Sequence, residues 1–130
     1  MFISRKLKEK NIAEYLLYMW QIEDLIRANG CDLERIKQTI IEPYPLTEEQ
    51  KREMTEWYDN LIRMMREEKV MEKGHLQINR NIIILLTDLH LQLLRSPKFP
   101  IYGSTYYRAL PFIVELRAKG EGKDLPELET

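Results

Sequence analysis

INRNIIILLTDLHLQLLR, residues 78–95, decides how the chain folds. Turned at ~100° per residue, it places Ile78, Ile82, Leu85, Leu86, Leu89 and Leu93 on one face of a helix. Ile83, Ile84, Leu91 and Leu94 carry the apolar surface most of the way round, leaving a polar strip of Gln77, Asn81, Asp88, Gln92 and Arg95. A helix this apolar is expected to be covered on most sides, as the central element of a small domain. Strand is the weaker reading of residues 82–86, because the apolar spacing continues at helical period through Leu94 and no partner strand is apparent.

Upstream, the spacing predicts a helix over residues 4–29, ended by Gly30. Its apolar arc is Ile12, Tyr15, Leu16, Met19, Trp20, Ile22 and Ile26, and Glu23 intrudes on that arc with Arg27 one turn on as an ion-pair partner. A short helix begins at Asp32 and stops before Pro43 and Pro45. Thr47-Glu48-Glu49-Gln50 is a capping box, so a third helix starts there; it is expected to reach Lys73 and to end at Gly74. Downstream of residue 95, Pro97, Pro100 and Gly103 read as a stiff loop. Ser104 reads as the cap of a last helix kinked at Pro111. The expected fold class is all-α: an antiparallel helical bundle of four longer helices plus one short helix, over a single domain at residues 1–119. Residues 120–130 read as a polar tail, and the caps and acids at 124–127 look like the start of a further helix of a longer protein.

Charge excludes some functions. Twenty basic against 21 acidic residues give a net charge of −1, which offers no long-range pull on nucleic acid or an anionic membrane. Arg5, Lys6, Lys8 and Lys10 are the one local excess and read as a solvated face. No apolar run reaches the ~18 residues of a membrane span, and the N-terminal stretch has no signal-peptide cleavage site. The single thiol, Cys31, rules out an intrachain disulfide and suits a cytoplasmic setting. No membrane or nucleic-acid partner is expected.

Catalytic motifs are missing. There is no Gly-x-Ser-x-Gly, no Gly-rich phosphate loop and no paired Cys and His. Glu72 and His75 have Glu-x-x-His spacing, but the motif occurs once and Gly74 interrupts it, so no metal or other cofactor is expected. His90 is a histidine inside an apolar arc, and Glu23 is a carboxylate inside another. The two are candidates to meet, or to share a buried polar cluster with Trp20 or Tyr18. Tyr102, Tyr106 and Tyr107 beside Arg108 read as core and rim before they read as a ligand clamp.

The strings KNIAEYLLYMWQIEDLIRANG, KGHLQINRNIIILLTDLHLQLLRSPKFP and YYRALPFIVELRAKG resemble an uncharacterised helical family of gut bacteria, a domain of unknown function. The resemblance implies a cytosolic helical protein whose members run on into further helix, and it carries over no activity, ligand or catalytic residue. The reading that asks least of the residues is a non-enzymatic module acting through protein contacts, with itself or another protein, a homodimer being the default geometry. The second reading is a small-molecule-binding or enzymatic bundle built on Glu23 and His90.

Overall fold

A computed structural model describes residues 2–120. The described residues are all-α, with helices α1 (Phe2–Lys10), α2 (Ile12–Ala28), α3 (Leu33–Ile36), α4 (Glu48–Glu67), α5 (Gln77–Arg95) and α6 (Pro100–Lys119). No helix among them is long and apolar enough to cross a membrane. The chain divides into two compact units, Met1–Arg80 and Asn81–Thr130, with the boundary inside α5. The polar tail and helix start read at residues 121–130 lie outside the described residues.

The first unit is built by caps. The single helix expected over residues 4–29 is two helices, because Asn11 leaves helical geometry (φ −155°, ψ 102°) and its side chain accepts from Ala13 N and Glu14 N at 3.1 and 3.2 Å. Gly30, at φ +67°, ends α2 in the left-handed region, and Cys31 N then reaches back to Ile26 O at 2.9 Å. Cys31 itself sits at φ +55° with its side chain buried. Asp32 caps α3 through Glu34 N, as its sequence position implies.

After α3 the backbone widens into a π turn, Lys37–Ile41, closed by Glu42 N to Lys37 O at 2.8 Å. Ile36 and Ile41, five residues apart, are both buried. In an α-helix they would diverge by about 140°, and the wider π turn brings them toward one side.

Thr47 and Gln50 make the expected reciprocal capping box at 3.1 Å in each direction. The end of α4 differs from the sequence reading. The helix stops at Glu67, with Lys69 at φ +59° and Val70 N bonded to Met65 O, and this closure lets Val70 fold down and bury. The core of the unit joins Met19, Ile22 and Ile26 of α2, Ile36, Ile41, and Tyr58, Leu61 and Met65 of α4.

The second unit is the rest of α5, the link at residues 96–99, and α6. The last helix begins at Pro100, not Ser104, so Gly103 lies within it. Proline at the first helical position gives up only an N–H that has no helical partner. The helix then runs as one element across Pro111. His90 of α5 meets α6 through Tyr102, whose hydroxyl lies 2.5 Å from His90 Nδ1, and through the edge of Tyr106.

The expectation that α5 is covered on most sides is not met. Its buried or half-buried stripe is Ile82, Ile83, Leu86, His90, Leu93 and Leu94, rotated toward His90 from the face read in the sequence. Ile84, Leu85, Leu89 and Leu91 are exposed, Leu85 at 66%. Within its unit this helix has one companion, and one companion covers one face.

Tyr58 is 2% exposed, and burial, followed by the neighbouring Tyr18 and Tyr44 phenols, pushes its ionisation well above the ordinary value of 10.0. Its folded state therefore favours the protonated phenol. That contribution is complete below the unfolded value and is lost as pH rises above about 10. Thermal midpoints should fall above that pH, and Tyr58→Phe should make the fall shallower; an identical alkaline limb in the variant would contradict the assignment.

Candidate functional site

Glu23 lies on the buried face of α2 with Met19 and Ile26, and is 1% exposed. A carboxylate in that place needs donors. Oε2 accepts from the Leu76 backbone N–H at 3.0 Å, while Oε1 receives Asn79 Nδ2 at 3.1 Å and faces His75 Nδ1 at 3.2 Å. An ionised carboxylate only accepts, so His75 presents Nδ1–H to it. The imidazole is also stacked on Trp20, with ring centroids 4.9 Å apart.

Arg27, one turn after Glu23, secures the same segment from its other side. Its guanidinium donates to Val70 O through Nε and Nη2 at 3.2 and 3.0 Å, to Gly74 O, and to Asp24 at 3.0 Å. Its distance to Glu23 is 3.9 Å, the ion pair read from the i,i+4 spacing. Glu68 accepts from Gln77 N at 2.8 Å and closes the first turn of α5. Two side chains of α2 thus bind the connection between α4 and α5 at Val70, Gly74, His75 and Leu76, chiefly through its backbone. Gly74, at φ +93°, admits the turn, and a Cβ there would meet Val70 Cγ1 at 3.4 Å.

The four residues picked out in the sequence fall in different places. Glu23 and Trp20 belong to the cluster just described. His90 is buried and is bonded to Tyr102 in the second unit. Tyr18 lines an apolar recess with Tyr44 and Tyr58. The residues the sequence reading missed are His75 and Asn79 as partners of Glu23. Asn79 carried a signal, because it sits on the Ile82, Ile83 and Leu86 side of α5, an amide on an apolar face.

The chemistry on offer is structural. The Glu23 carboxylate is engaged by the chain's own His75, Leu76 N–H, Asn79 and Arg27. His75 lines a surface cleft of about 370 Å³ with Glu68, Gln77 and Arg80. Trp20 Nε1 and Asn79 Oδ1 are buried and meet no hydrogen-bond partner among the described residues. Asn79 must aim its amino group at the carboxylate, which leaves the carbonyl oxygen orphaned. No group of three or more metal-binding side chains occurs among the described residues. Cys31 Sγ lies 3.9 Å from Met71 O, a weak bond at most. Of the basic N-terminal residues, Arg5 pairs with Glu53 and Lys8 lies over the Tyr15 ring.

Replacing Glu23 should separate its acceptor role from its bulk. Glu23→Ala leaves the buried Leu76 and Asn79 donors without an acceptor and should cost about 3 kcal/mol or more. Glu23→Gln keeps one acceptor oxygen and should cost about half of that. Urea denaturation checks both, and a Glu23→Ala protein within about 0.5 kcal/mol of the parent would contradict the clamp.

Searches of curated proteins and of solved structures return no match to the chain. The family model described as Domain of unknown function (DUF4924) matches residues 1–130, and the chain belongs to that family.

Proposed function

We propose that the protein is a helical interaction module that pairs with a second copy of itself through α5 and α6. The observation that carries this reading is α6: twenty residues long, with none of its side chains fully buried. Its half-buried face is Tyr102, Tyr106, Ala109, Leu110 and Ile113. A second face carries Ile101, Phe112 and Leu116, and a third carries Tyr107 and Val114, all exposed, with Ile101 at 79%. Helices apolar on several sides are stable in water when several neighbours surround them. A two-helix unit supplies one neighbour each. Two such units packed about a twofold axis make a four-helix arrangement in which each helix gains a second neighbour.

The exposed side chains of α5 extend this apolar surface. Leu85 and Leu89 are one turn apart on a stripe adjoining the buried one, and Ile84 and Leu91 form another stripe two turns long. Scattered surface leucines need no explanation, whereas stripes on two consecutive helices mark a contact surface. A cytoplasmic setting accords with the lone thiol of Cys31 and with no expected membrane partner.

An enzymatic reading built on Glu23 and His90 has less support. Glu23 is occupied by backbone and side-chain donors of its own unit, and His90 by Tyr102 of its own. Binding of nucleic acid has less again, because the basic N-terminal segment is partly paired and the net charge is −1.

Sedimentation equilibrium tests the proposal. The parent chain should be dimeric at about 100 µM. Leu89→Asp and Phe112→Asp, both at exposed positions, should each weaken the dimer by about 100-fold without loss of helix content. A parent that stays monomeric, or a dimer indifferent to both substitutions, would overturn it.

A further inference from the structure

The first unit holds a second feature that self-association does not use. A recess of about 380 Å³ opens between α1, α2, the π turn, the corner at residues 43–46 and α4. Its rim is Ile3 and Tyr44, both exposed, and its floor includes the buried Met54 and Tyr58. In a chain with 32% charged residues, none of the described residues lining this recess has a charged side chain. The polar side chains among its described lining residues are Tyr18, Tyr44 and Tyr58.

We propose that this recess binds a small uncharged molecule with an apolar body and a hydrogen-bond acceptor that meets the hydroxyl of Tyr58 or Tyr44. The size lies at the lower end of the range for small-molecule sites, and the lining is mostly apolar with a few polar groups, as such sites require. Charge decides the ligand class. An ionised ligand would lose its hydration here and find no counter-charge among the described lining side chains, so the uncharged form is selected. Polarity decides the rest. Burial pushes the phenol of Tyr58 upward, so it remains an O–H group able to donate throughout the neutral range.

Geometry favours a compact occupant over a helix. A helix docks along a groove between elements that run side by side and offers anchors at i, i+3 or i+4, and i+7. Here five segments converge on one spot. The rim is also stiffened in advance. Pro43 and Pro45 restrict the corner, and Leu46 N bonds to Tyr44 O at 2.8 Å, so little ordering is left for a ligand to supply.

Prodan, an uncharged naphthyl ketone whose emission reports both polarity and hydrogen bonding at its carbonyl, is the probe. Titrated into the full chain, it should bind saturably, one per chain. Ile3→Trp and Leu46→Trp, which crowd the recess from its edge, should each weaken it about tenfold or more. Leu89→Asp on α5 should leave binding unchanged. Circular dichroism identifies which occluding variant is folded, and either one suffices. Binding that does not saturate, that ignores both occluding variants, or that disappears with Leu89→Asp would overturn the proposal. So would occluding variants that change the solution mass of a chain that does not take up prodan, because the recess would then belong to a second copy.

Discussion

Two helices lying together can each hide one face, and α5 and α6 carry apolar side chains on more than one. That mismatch is the constraint on which the functional reading depends. It does not arise from an unusual residue. It arises because both sequences are apolar beyond the width of a single contact: Leu85 and Leu89 flank the His90 stripe of α5, and Phe112 and Val114 lie outside the Tyr106 stripe of α6. Burying such a side chain contributes about 1.5–3 kcal/mol each, so several left in water form a strong drive toward association.

The first unit solves its own burial differently. It is held by a few polar anchors set into an apolar core. Glu23 and Arg27 occupy one stripe of α2 and between them take hold of the Val70, Gly74 and Leu76 backbone, the His75 ring and the Asn79 amide. Buried charge is costly and is tolerated where every lone pair is used. These bonds hold the connection from α4 and so set where α5 begins. The unit held by Glu23 and Arg27 thus delivers, at its end, the start of the helix whose apolar stripes lack cover.

Much of the helix pattern could be read from residues, because caps are local. Thr47 with Gln50, Asp32 and Gly30 each act within four residues of where they stand. Asn11 was harder. It is only mildly unfavourable inside a helix, and the one sign of a break is that Phe2, Ile3 and Leu7 fall opposite the arc of Ile12, Tyr15, Met19 and Ile26 when a single helix is drawn through both. Ser104 was read as the start of the last helix and Pro100 as loop, yet the helix begins at Pro100, whose fixed φ suits the first helical position. The exposure of α5 was invisible in its composition, since an apolar girdle states that cover is needed and does not say which chain provides it. The clamp was half legible: Glu23 stood out as a carboxylate among apolar residues. Its partners His75 and Asn79 lie 52 and 56 residues away, a separation that no local pattern spans.

Amide hydrogen exchange compared at low and high protein concentration tests the central claim most directly. If α5 and α6 complete their burial against a second copy, the amides of Pro100–Lys119 should gain protection as concentration rises, while those of Glu48–Glu67 should not change. Protection of α6 that is the same at both concentrations would contradict the account.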